Sequence, residues 1–118
     1  MQTNHYIDAT RRTWSSNQYY EQPDLLHATL GVVTEAGELA DQIKRHYFYG
    51  TELDIPNIEE EIGDTLFYLA RLIDLLDLTF EDIMQKNIDK LRARYPDKFS
   101  KTKAIVRDLK KERAVLES

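Results

Sequence analysis

Residues 57–76 read NIEEEIGDTLFYLARLIDLL, and the apolar positions among them recur every three to four residues, the period of an α-helix. The opening Asn57-x-x-Glu60 has the form of a capping box, in which side chains at both ends satisfy the first free amides of a helix. Projected at about 100° per residue, Glu61 and Asp64 fall on the same stripe as Tyr68, Leu72 and Leu75. Two carboxylates one turn apart therefore share a row that otherwise reads as bundle interior. A carboxylate held away from water without a partner costs several kcal/mol, so this row needs a compensating charge.

The helix before it carries a matching pair. It is expected from Asp24, just after Pro23, to about Phe48, with Gly50 as its stop. Leu25, Val32, Ala36, Leu39 and Ile43 form its apolar stripe. Glu35 sits at the edge of that stripe and Glu38 lies farther out, again three residues apart. Gly31 and Gly37 flank the pair and are expected to leave space for a ligand. A single Glu-x-x-Glu pair is usually solvated charge on an amphipathic helix. Two pairs at matching spacing, one in an apolar row, fit a divalent cation better. Mg2+ takes oxygen ligands, keeps some of its waters and accepts substrate phosphates. Glu59 and Glu60 project toward the outer face and read as solvated.

Farther out, the pattern stays helical. A first helix is expected from Asn4 to about Trp14, ending in Ser15-Ser16-Asn17. A fourth, capped by Thr79 with Asp82, has to finish near Arg94 because Pro96 follows. A fifth is expected from about Thr102 to Leu116 on a sparse apolar stripe. No strand pattern, repeat or low-complexity stretch interrupts this series. Long helices with short connections imply an all-α fold, a bundle of four to five helices. The expected division is a catalytic helical domain over 1–100 and a basic C-terminal helix or tail over 101–118.

On the fourth helix Asn87, Lys90 and Arg94 share one stripe beside Phe80 and Ile83. A Lys and an Arg bordering a core often only snorkel to water. Next to a cation site, the same two become a clamp for phosphate oxygens, Lys as a point charge and Arg as a planar fork.

Charge and composition narrow the classes of function. Residues 1–100 hold ten Lys and Arg against eighteen Asp and Glu, whereas residues 101–118 hold six against three. An acidic body argues against nucleic acid as main ligand, since phosphate neutralisation needs clustered cations. With 118 residues there is room for one domain and a thin core, so cover from a second copy is expected. There are no cysteines, which excludes disulfides, thiolate ligands and Cys nucleophiles. No apolar run approaches the ~18 residues of a membrane span, and the first residues lack a signal-peptide core. A cytoplasmic protein is expected. A di-iron carboxylate bundle is excluded, because no His stands three residues after a Glu.

Glu35-Ala-Gly-Glu38, a gap of 22 residues, then Glu61-Ile-Gly-Asp64 resembles the ExxE…ExxD signature of the all-α nucleoside triphosphate pyrophosphohydrolases, the MazG-like proteins. The surrounding words LGVVTEAGELADQIKR, IEEEIGDTLFYLARL and NIDKLRARYPDKFS extend the resemblance over roughly residues 25–100. It implies cleavage of a (d)NTP between the α and β phosphates, giving a monophosphate and pyrophosphate. It implies Mg2+, with Mn2+ as a substitute, on the catalytic carboxylates Glu35, Glu38, Glu61 and Asp64. It places Asn87, Lys90 and Arg94 near the phosphates, and it points to a homotetramer or homodimer. Many members carry an acidic residue just before the first Glu, where this chain has Thr34. His27 projects on the side of Gly31, Glu35 and Glu38 and is a candidate substrate contact. Trp14, Tyr47, Phe48 and Tyr95 are candidates for stacking on a base, although aromatics at helix ends more often pack. Two other readings stay open: a dUTP or dUDP hydrolase of the same superfamily, and a non-catalytic helical interaction module.

Overall fold

The computed structural model describes residues 1–14 and 24–118; Ser15-Ser16-Asn17 and Pro23 lie outside the described residues. The described residues form six helices and no strand, an all-α fold. The chain divides into two compact units, Met1–Leu78 and Thr79–Ser118.

The first unit holds α1 (Thr3–Arg11), α2 (Asp24–Tyr49) and α3 (Ile55–Leu75). The two long helices pack along each other, and α1 packs on α3. Helix α2 stops where expected: Gly50 takes a positive φ of 71°, which costs glycine nothing. Helix α3 starts two residues earlier than its sequence suggested. Its cap is Asp54, whose carboxylate accepts from the Asn57 amide at 3.2 Å, with Pro56 in the first turn. Asn57 is therefore a first-turn residue and not the cap, because a Pro with no amide to satisfy suits an earlier start. At the other end Asp77 adopts φ 58°, while the amides of Asp77 and Leu78 donate to the carbonyls of Asp74 and Ile73. This is a Schellman ending with an aspartate where glycine is usual.

An ion-pair network ties α1 to α3. Asp74 accepts from Arg11 Nε and Nη2 at 2.8 and 2.6 Å, and from Arg71 Nη1 at 2.7 Å. Arg71 is buried, and the same Nη1 reaches Thr10 Oγ1 at 3.3 Å. The Arg11 and Arg71 guanidinium groups hold the Asp74 carboxyl down at about 2. The apolar core is thin. Among the described residues, only Ala28, Ala70 and Ile73 are buried hydrophobics, and no large side chain is fully enclosed.

The second unit holds α4 (Phe80–Arg94), α5 (Lys101–Ile105) and α6 (Leu109–Glu117), with α4 packed on α6. Thr79 caps α4 by accepting from the Asp82 amide, as its sequence indicated. The single helix expected over 102–116 is two short ones. Val106 leaves the helical region at φ −96°, ψ 93°, and Asp108 caps a new helix by accepting from the Lys111 amide at 3.0 Å. A good capping residue mid-stretch competes with helix continuation, and here it wins. No helix of the described residues is long and apolar enough to cross a membrane.

Candidate functional site

The antiparallel reach of α2 and α3 brings Glu35, Glu38 and Glu61 together: one carboxylate oxygen from each lies within 4.8 Å of the others. The three-residue spacing on α2 supplies two of them on one face, and α3 supplies the third across the helix pair. Glu61 is buried, Glu35 half-buried and Glu38 exposed. Asp64 is exposed and stands outside this closest trio, yet its charge is felt at both Glu35 and Glu61. Glu59 and Glu60 face solvent.

The electrostatics are those of an uncompensated cluster. Burial, then the charge of Glu38, pushes the Glu61 carboxyl up to about 7. Burial, then the charges of Glu38 and Asp64, raises Glu35 as well. One oxygen of each, Glu35 Oε2 and Glu61 Oε2, is buried without a hydrogen-bond partner. Buried acceptors are almost always satisfied, so two unbonded carboxylate oxygens on neighbouring glutamates fit the ligand set of a cation. The donor set is oxygen alone, which suits a hard divalent ion. Beside the trio lies an open cleft of about 540 Å3 lined by Thr34, Gly37, Glu38, Asp41, Gln42 and Glu61.

Gly37 borders that cleft with open space where a side chain would be, but Gly31 does not leave room for a ligand. The Tyr68 ring fills the space beside Gly31, correcting the expectation for that residue. His27 does not stand free near the carboxylates: its ring stacks on Trp14 at 4.6 Å, beside Tyr68 at 6.1 Å. Trp14 also packs against Phe67 and lies 5.4 Å from the Arg71 guanidinium carbon. Tyr47 and Phe48 are exposed at the end of α2, and Tyr95 packs on Phe99.

Asn87, Lys90 and Arg94 belong to the second unit, on α4. Asn87 is exposed and Lys90 half-buried. Arg94 is engaged: its Nε donates to Glu112 Oε1 of α6 at 2.5 Å.

Sequence reasoning passed over Asp41 and Gln42, which continue the Glu35, Glu38 row by three and four residues and were findable by extending it. Tyr6 was also missed. Its hydroxyl donates to the Gly63 carbonyl at 3.4 Å, and burial, then the Asp64 charge, raises its pKa. Nothing local in the first helix signals that tertiary contact.

Carboxylates facing one another across a helix pair, with oxygens left unbonded, define an all-α protein with a candidate acidic metal site. The chain belongs to the MazG nucleotide pyrophosphohydrolase family, whose domain profile matches residues 24–99. It is 32% identical over 74 residues to the Gene 37 protein of Mycobacterium phage L5, covering 59% of this chain and 65% of that one. It is 35% identical over 71 residues to the uncharacterized protein YpjD of Bacillus subtilis (strain 168), covering 57% and 63%. The chain thus spans slightly less than two thirds of each of these relatives. No solved structure is significantly similar to it.

Proposed function

We propose that this protein is a Mg2+-dependent pyrophosphohydrolase that cleaves a nucleoside triphosphate between its α and β phosphates. The observation that carries this reading is the meeting of Glu35, Glu38 and Glu61, within the family-matched residues, with two buried oxygens unbonded. Glu35, Glu38, Glu61 and Asp64 would hold the ion. Bound there, it would screen the phosphate chain and polarise a water.

The remaining work falls to the chain's own groups. One of the carboxylates takes the proton from the attacking water as its oxygen bonds to the α-phosphorus. The bond from that phosphorus to the bridging oxygen breaks, and pyrophosphate leaves with the electron pair. Asn87, Lys90 and Arg94 are assigned to the phosphates, where a point charge and a planar fork stabilise the departing negative charge. His27 is assigned a supporting part at the substrate, through the aromatic group in which it stacks with Trp14. The working form is a homo-oligomer, a tetramer or else a dimer.

The test is pyrophosphate release from the common ribo- and deoxyribonucleoside triphosphates, with Mg2+ and with Mn2+. Release from at least one supports the reading, and preference for uracil nucleotides selects the dUTP-type activity. Failure with every nucleotide replaces the hydrolase with a helical binding module.

A further inference from the structure

Within the second unit, Arg94 is held by a group that the family resemblance does not reach. The matched residues end at 99, and Arg107 and Glu112 lie beyond them. Glu112 is buried, only 4% exposed, in a unit with little apolar cover. Each of its oxygens is committed to a different arginine. Oε1 accepts from Arg94 Nε at 2.5 Å, and Oε2 accepts from Arg107 Nε and Nη2 at 3.2 and 2.6 Å. Helix α6 fixes the carboxylate in place, since the Asp108 cap sets its first turn and the Glu112 amide closes on the Asp108 carbonyl at 3.0 Å. Two guanidinium groups on one carboxylate leave a net positive charge on the trio.

Glu112 grips Arg94 through Nε, which keeps the Nη1–Nη2 edge of the fork clear of that carboxylate, while the Tyr95 side chain also contacts the guanidinium, its ring centroid 5.7 Å from Cζ. That edge carries two parallel donors that can meet two phosphate oxygens. The Arg94 side chain is only 16% exposed and borders a cavity of about 270 Å3, lined also by Lys103 and Lys111. An arginine at a helix end would otherwise sample many rotamers, and fixing it lowers the entropy lost on binding.

We infer that Glu112, backed by Arg107, is a positioning residue that holds Arg94 by Nε so that its two Nη groups are presented to the phosphate chain of the substrate. This inference rests on the assignment of Arg94 to the phosphates made above.

The test is calorimetric titration of the full chain with inorganic tripolyphosphate in Mg2+, and with Mg2+ alone. Arg94→Ala and Glu112→Gln should each weaken tripolyphosphate binding by about tenfold, with Mg2+ binding unchanged. The double variant should bind no more weakly than Arg94→Ala, because Glu112 acts through that side chain. Arg107→Gln, at a more exposed position, guards against a folding defect. It should weaken binding less, and not at all when Arg94 is already Ala. Additive losses would make Glu112 a purely structural staple and overturn the inference. Unchanged or tighter binding in Glu112→Gln would do the same, the latter marking a latch on Arg94. So would a wild-type chain that does not bind tripolyphosphate. A chain that binds through Arg94 and Glu112 but releases no pyrophosphate from any nucleotide would sink the hydrolase and leave the positioning role standing.

Discussion

The Tyr68 ring lies against the bare backbone of Gly31: a Cβ at Gly31 would come within 2.2–2.4 Å of three ring carbons. This contact lets α2 and α3 approach closely one turn from Glu35. Two effects compete when Gly31 becomes Ala. Helix propensity favours Ala by about 1 kcal/mol, and overpacking costs about 1–3 kcal/mol. The clash involves the root of the ring and not a flexible tip, so it should win. Gly31→Ala is expected to lower stability in urea by about 1–2 kcal/mol net. Gly63→Ala, with nothing within 4 Å of the added carbon, should raise it by up to about 1 kcal/mol. Equal effects at the two positions would show that the close approach is not real.

Glu38→Gln and Asp64→Asn should each reduce pyrophosphate release by about two orders of magnitude or more, since each loses a negative ligand while keeping its shape. Both side chains are exposed, so both variants should fold. Turnover within about tenfold of wild type in both would defeat the assignment of the carboxylates.

The pH dependence of the metal-free first unit follows from its shifted carboxyls. Glu61, at about 7 in the folded chain against an ordinary 4.5, binds more protons folded than unfolded between those values. Stability should therefore fall as pH rises through that window, with Glu35, raised in the same direction, adding to the loss. Asp74, at about 2 against an ordinary 3.8, works the other way: its contribution is present above 3.8 and lost as pH falls toward 2. Trp14, the chain's one tryptophan, sits beside Arg71 and reports on this unit by fluorescence. With chelator present, melting temperature should peak at about pH 4.5, between the two windows. Glu61→Gln should flatten the upper limb. A melting temperature that climbs steadily to neutral pH would contradict the buried-cluster electrostatics.

Much of this architecture was legible locally. The Thr79 cap, the Gly50 stop and the apolar periods on α2 and α3 are properties of a few adjacent residues, and they fixed helix number and type through residue 94. The carboxylate cluster was legible because its spacing is helical on both elements. What failed to show was tertiary. The Tyr68 ring against Gly31, the stacking of His27 on Trp14 and the capture of Arg94 by Glu112 all join residues far apart in the sequence. The break at 106–108 was local, and the Asp108 cap was there to be read.

Asp77 closes α3 in the left-handed region with a φ of 58°, which an L side chain visits at a cost of roughly 1–2 kcal/mol. Its carboxylate also sits at the negative end of the helix dipole. Asp77→Gly removes both penalties and gives back part of the gain through the freer unfolded chain. A net stabilisation of about 0.5–1 kcal/mol is expected in denaturant unfolding, and Asp77→Ala should not reproduce it. A loss of stability in Asp77→Gly would mean that the side chain has a partner of its own.

The first unit leaves large apolar side chains of α2 and α3 uncovered. Leu30 and Val33 on α2 are 54% and 64% exposed, and Ile62 on α3 is 51% exposed. Ala36, Leu39, Ile62, Leu66 and Leu69, together with Thr65, line a largely apolar hollow of about 210 Å3. Against this, the buried hydrophobics among the described residues are two alanines and one isoleucine. So few buried side chains among the described residues offset little of the conformational entropy of long helices, which costs about 1–2 kcal/mol per ordered residue for the backbone. A helix apolar over so much of its circumference needs cover on more than one side. A second copy can supply it through a two-fold interface, α2 and α3 of one protomer against the same helices of the other. The protein is therefore expected to be a homo-oligomer, a tetramer or else a dimer, by light scattering. Leu66→Glu or Ile62→Glu, placing a charge in the hollow, should dissociate it and lower its stability together. A compact 13.9 kDa monomer at micromolar concentration, with its helicity intact, would rule the interface out.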